Sequence, residues 1–290
     1  MSEFRNTIDI VGDNALTDSI INRTVTEFHS DAVTLIGTYA FGHCTALKSL
    51  NLPNATSIGS NGFVECAKLE TVELPNVKTI GSSAFGKCAA LKTLSIPNAA
   101  TISTNAFNYC ISLSSIDLPK VTSIESNAFS YCEGLKSLSV PNITSIRSSS
   151  FNNCTMLASI DLPNVKTVNS NAFSYCGSLG NVVLPAATSI STNAFSYCDM
   201  LENVDLSMAT SIGSSAFYYC ASLVTLILRS AAVCTLSNIN AFTSTAIANG
   251  MGYIYVPKEL IDGYKTATNW STYADQFRAI EDYPDICGTA

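Results

Sequence analysis

Apolar positions in this chain recur every 22 residues over most of its length, marked by cysteines at 44, 66, 88, 110, 132, 154, 176, 198 and 220. Counting each repeat from its cysteine as position 1, position 4 is leucine in every copy, from Leu47 to Leu223. Positions 7 and 9 are aliphatic throughout and position 10 is proline in seven copies; where the unit is complete, position 15 is Ile or Val and position 20 is phenylalanine. The two-residue alternation at positions 7 and 9 predicts a short strand with both side chains inward. Proline then ends the pairing, because it has no N–H to donate. The other half, T-S-I-x-S-N-A-F, returns the chain to its start, with Ile and Phe inward and Ser-Asn at a bend. So short a repeat cannot bury its own apolar face, whereas stacked copies share one core. The pattern therefore predicts a repeat solenoid with one parallel β-sheet, a short strand per 22-residue coil and strands about 4.8 Å apart.

The recurring Cys and Phe read as packing rather than chemistry. Each coil has the same hole to fill, and free cysteine behaves as a small hydrophobe beside the bulkier ring. The expected core ladder is Cys66, Cys88, Cys110, Cys132, Cys154, Cys176 and Cys198 with Phe63, Phe85, Phe107, Phe129, Phe151, Phe173 and Phe195. No C-x-x-C pair occurs, and the two histidines, His29 and His43, have no metal-ligand spacing. Cys234 and Cys287 stand outside the ladder, and Cys287 in the polar tail is the expected exposed thiol. No cofactor or metal is predicted. No G-x-S-x-G, phosphate-cradling loop or dinucleotide fingerprint is present either, so the chain is not expected to be an enzyme.

Open ends of a solenoid need covers. Residues 1–30, including "SIINRTVTEF", are the expected N-terminal cap, 31–250 the solenoid, and 251–290 a C-terminal cap with short helices and a tail. The register slips after Leu228, and Phe242 is the last ring of the series. "GYIYVP" reads as a final strand, "KELIDGYKTA" as a helix, and "NWSTYADQF" as a second short helix capped by Asn269. Trp270, the only tryptophan, is expected to pack inside this cap.

Only 13% of residues are charged against 47% hydrophobic, and the net charge is −7. That balance excludes a phosphate-tracking nucleic-acid binder. No apolar run is long enough to insert in a membrane, and no secretory leader or anchor is evident, so the chain is expected to be soluble, cytoplasmic and monomeric.

Recognition would then fall to the outer surface. Positions 6 and 8 face outward from the strand; position 6 is always small and polar, and position 8 carries Glu73, Asp117, Asp161 and Asp205 in alternate coils, which spaces like charges apart. No aromatic residue stands at either position in the nine repeats. Position 22 differs, with Tyr109, Tyr131, Tyr175, Tyr197 and Tyr219. These rings either lie over the neighbouring coil and shield it or form a contact strip for a protein or glycan, since tyrosine offers a large amphipathic area at little entropic cost.

The unit LxSIxLPNVTSIxSNAFxxC resembles the BspA-like class of bacterial leucine-rich repeats over residues 31–242. It departs from the general pattern L-x-x-L-x-L-x-x-N/C-x-L, because Ala55, Val77, Val121 and Ile143 stand where Asn or Cys is usual, so backbone groups at that turn need other partners. The C-terminal segment is similar to one that closes such repeats in gut Firmicutes. The resemblance implies a right-handed leucine-rich-repeat coil with a small α-helical C-terminal cap. It also implies a binding scaffold for protein or glycan recognition at the bacterial surface, in adhesion. Alternatives are a structural part of a phage or prophage particle and a cytoplasmic interaction module.

Overall fold

The computed structural model describes the backbone of residues 15–16 and 25–287, with side chains from 25 to 286. The rest of the segment 1–24, expected as a cap, and the thiol of Cys287 lie outside the described residues. The chain divides into two compact units, 1–142 and 143–290. Each is a stack of coils joined by parallel strands.

In the first unit, front strands Glu27–His29, Ser49–Asn51, Thr71–Glu73 and Thr93–Ser95 pair in that order, each residue with its equivalent one repeat on. The ladder thus reaches into the 1–30 segment, because Val25 and Phe28 are buried where the next coil buries Leu47 and Leu50. The expected ladder is joined by a second one at positions 14–15. Its strands are Ala15–Leu16, Leu35–Ile36, Ser57–Ile58, Thr79–Ile80, Thr101–Ile102 and Ser123–Ile124. Residues 115–117 carry the same pattern as the other front strands yet form none.

In the second unit, Asn181–Val183, Asn203–Asp205, Thr225–Ile227, Tyr253–Val256 and Phe277–Ala279 make the front sheet. The back sheet is Ser145–Ile146, Thr167–Val168, Ser189–Ile190, Ser211–Ile212 and Thr235–Leu236. Inside each unit the phenylalanines stack ring on ring. Centroids are 4.9–5.3 Å apart from Phe41 to Phe129 and 5.3–5.6 Å apart from Phe151 to Phe242.

The returning half of each coil follows a strict backbone rule. Residues at positions 18, 20 and 22 donate their N–H to the next coil, as Asn61, Phe63 and Glu65 do to Ser82, Ala84 and Gly86 at 2.7–2.8 Å. The residues between them bond three back along the same coil, as Gly62 does to Gly59 and Val64 to Asn61. The alternation requires left-handed backbone at positions 18 and 22 in every coil, with φ between 54° and 63°. Asn, which reaches that region more readily than other non-glycine residues, fills position 18 in five of the eight coils from 61 to 215 and Ser in the other three, and Tyr39 precedes them.

Cysteine proves to be more than a filler. Seven of the ladder thiols donate to the carbonyl of the preceding coil's phenylalanine, for example Cys88 Sγ to Phe63 O at 3.1 Å and Cys198 Sγ to Phe173 O at 3.2 Å. That carbonyl already accepts an N–H, so the thiol occupies its second lone pair in a water-free interior. The turn that lacks an asparagine at position 12 has its polar ladder one residue earlier. Asn54, Asn76, Asn98 and Asn142 each donate from Nδ2 to the carbonyl one coil back, at 2.7–2.8 Å.

At the C-terminal end the backbone edge of the back sheet is met by side chains. The Cys234 N–H donates to the Tyr264 hydroxyl at 3.0 Å, and its carbonyl accepts Trp270 Nε1–H at 2.6 Å. Asn269 Nδ2 donates to Leu236 O at 2.7 Å and the Tyr273 hydroxyl to Ile239 O at 2.6 Å. The helix Ile261–Thr266 presents Tyr264, and the 3₁₀ helix Trp270–Gln276 presents Trp270 and Tyr273. Asn269 is therefore not the helix cap that its place suggested. Its backbone is left-handed and its side chain is spent on Leu236.

Candidate functional site

The tyrosines of position 22 gather into one file in each unit. In the first, Tyr109 and Tyr131 stack with centroids 4.3 Å apart and planes within 6°. In the second, Tyr175, Tyr197 and Tyr219 stack at 4.5 and 5.2 Å, and Tyr218 meets the last two edge-on. The ring planes are nearly parallel because the backbone ladder repeats the same φ one coil on. Stacking covers the ring faces that meet within each file, while the rings stay partly exposed: Tyr109 is 41% exposed and Tyr175 and Tyr219 are each 44%. Partial desolvation, then the neighbouring phenols, hold Tyr109 and Tyr197 above the usual phenol range.

The same position carries charge nearer the N-terminus. Glu65 accepts from Lys87 Nζ at 2.8 Å and meets His43 Nδ1 at 3.0 Å. The ammonium, first by hydrogen bond and then by charge, keeps the Glu65 carboxyl below its ordinary value. Every residue of this file, from His43 to Tyr219, has φ between 59° and 63°. Nothing in the sequence signals that, because His, Glu, Lys, Asn and Tyr at one position do not form the Gly- or Asn-rich set that left-handed backbone favours.

The outer face of the front sheet is less uniform than its repeats suggest. In the second unit Tyr253 and Tyr255 align with Thr225 and Ile227, so aromatic rings do enter that face beyond the register slip. The Arg278 guanidinium lies 4.2 Å over Tyr253, and Tyr255 is buried with Ile227 and Ile280. The alternation in "YIYV" was the available signal. Among the position-8 carboxylates, Asp205 pairs with Arg229 at 3.2 Å.

The ladder sulfurs, from Cys44 to Cys220, are buried and unbridged, as is Cys234. Burial pushes the Cys176 and Cys234 thiols up to about 12, and it also raises Cys88, Cys110 and Cys198. Thiolate is the reactive form. In a Cys287→Ser background, maleimide at neutral pH is expected to label none of the remaining ten cysteines in the folded chain and all of them in denaturant. Mass spectrometry counts the adducts, and labelling of the ladder before unfolding would refute the sealed interior. Among the described residues no three His, Cys, Asp or Glu side chains converge as a metal site, and no helix is long and apolar enough to cross a membrane.

The sequence matches the family of the BspA type leucine rich repeat region, in six copies, over residues 9–136 and 122–248. No curated protein matches it. Among solved structures, a leucine-rich repeat protein from Bacteroides ovatus is 24% identical with a TM-score of 0.50, covering 90% of this chain and 82% of that one. The leucine-rich repeat protein of T. pallidum is 23% identical with a TM-score of 0.47, covering 65% of this chain and 82% of its own. A leucine-rich cell surface protein from Faecalibacterium prausnitzii is 19% identical with a TM-score of 0.36, covering 83% and 86%. Repeat period, stacked parallel coils and family match agree, and the chain belongs to the BspA-type leucine-rich repeat proteins.

Proposed function

We propose that this chain is a non-catalytic recognition scaffold of the bacterial surface, acting in adhesion, and that its contact surface for a protein partner is the file Tyr175, Tyr197 and Tyr219. One observation carries the proposal. Bulky residues are rare in left-handed backbone, which costs on the order of 1–3 kcal/mol at each site. Asn153 fills the same position at φ 60°, so the coil itself does not demand a ring. Tyrosine is repeated there, partly exposed, and its use is then external. The closed ring faces favour a protein over a glycan, because sugars stack on faces, whereas a row of hydroxyls and ring edges suits a polypeptide surface.

The test is the triple variant Tyr175→Asn, Tyr197→Asn and Tyr219→Asn, which gives each coil the residue that Asn153 already supplies in its own. Once a partner is identified by pull-down with the purified chain, biolayer interferometry is expected to show at least about a hundredfold weaker binding. The melting temperature should change little, since lost stacking is offset by relief of the backbone. Undiminished affinity in the triple variant would remove the file as the contact surface.

A further inference from the structure

The position-22 file ends where the repeat register slips. After Tyr219, whose N–H donates to Thr243 O at 2.9 Å, the next residue in the same left-handed place is Ser244, with φ 62°. A cleft of about 490 Å³ opens at this point, between the chain from 239 to 249 and the 3₁₀ helix Trp270–Gln276. Besides Tyr273, its polar side chains are Asn240, Thr243, Ser244, Asn249 and Thr272.

Two features set the cleft apart. None of these five side chains makes a hydrogen bond within the described residues, although asparagines along the turns of the first unit are committed to neighbouring carbonyls. No charged residue lines it, and its remaining wall is apolar, with Ile239 47% exposed beside Ala221 and Ala248. The Tyr273 hydroxyl holds Ile239 O, so the wall is anchored to the 3₁₀ helix. Free amides and hydroxyls facing a small apolar wall, without countercharge, match a ligand that is neutral, rich in hydroxyls and apolar on one side. An anionic or cationic ligand would find no countercharge there.

We infer that this cleft binds a neutral sugar residue of a glycan. The site shares no side chain with the tyrosine file and stands independently of it. Isothermal titration with maltotriose, cellotriose and chitotriose, and with sialyllactose and trigalacturonate as charged counterparts, tests it on the whole chain. At least one neutral trisaccharide is expected to bind with Kd at or below about 1 mM. The substitutions Asn249→Leu and Thr272→Val, both at exposed positions, should each weaken that binding about tenfold with the far-UV spectrum unchanged. The Tyr175→Asn change should leave it intact. Absence of neutral-sugar binding at about 10 mM would overturn the assignment. So would preference for a charged sugar, or affinity that ignores both cleft substitutions.

Discussion

Phe195→Ala is expected to destabilise the unit 143–290 by about 3–5 kcal/mol, near the upper end for a single ring. The ring is fully buried between Phe173 at 5.3 Å and Phe217 at 5.6 Å. What keeps the cost high is that the gap cannot close. Phe195 N–H is bonded to Ala216 O, and its carbonyl accepts the Cys220 thiol. Backbone ladders on both sides thus hold the coils at their spacing, and the cavity term is not recovered by collapse. Phe195→Leu refills part of the space and should cost appreciably less, about 1–2 kcal/mol. Urea denaturation followed by far-UV circular dichroism measures both. A loss below about 1 kcal/mol for the alanine variant would mean that the coils do close up, against the rigid spacing.

Trp270→Ala is expected to cost at least as much, for a different reason. The indole is fully buried against Phe242, Tyr264 and Phe277. Its Nε1–H also supplies the partner of Cys234 O at the exposed end of the back sheet. The alanine variant loses about 3–5 kcal/mol of packing and leaves a buried carbonyl unpaired, worth about 1–3 kcal/mol more. Trp270→Phe isolates the second effect, and Tyr264→Phe removes the matching acceptor from the Cys234 N–H. Contacts among these rings make the double variant non-additive. Amide exchange at Thr235 and Leu236 should accelerate in all three, and size-exclusion chromatography of the alanine variant should show association through the uncovered edge. Native-like stability and exchange in Trp270→Phe would show that the hydrogen bond contributes nothing to closing the stack.

The coil was legible because its information is local and repeated. Alternation at positions 7 and 9, proline at 10 and phenylalanine at 20 each have one satisfactory place in a stacked coil, and the copies reinforce one another. The second ladder was harder to read, since two residues such as Ser57–Ile58 are too few for a period. The front strand Glu27–His29 was obscured because Phe28 replaces the usual aliphatic residue. The tyrosine file was visible as a spacing, yet its stacked faces, partial exposure and left-handed backbone were not.

Composition and periodicity alone settle that the chain stacks, what fills its interior and which positions point outward, because burial of apolar surface acts on every copy alike. Coordinates were needed wherever one group's partner lies a coil away or in a non-repeating segment. The thiol on a phenylalanine carbonyl, the indole on Cys234 and the unpaired amides of the cleft are all such cases. Hydrogen bonds depend on direction and distance, which a residue's identity and spacing do not specify.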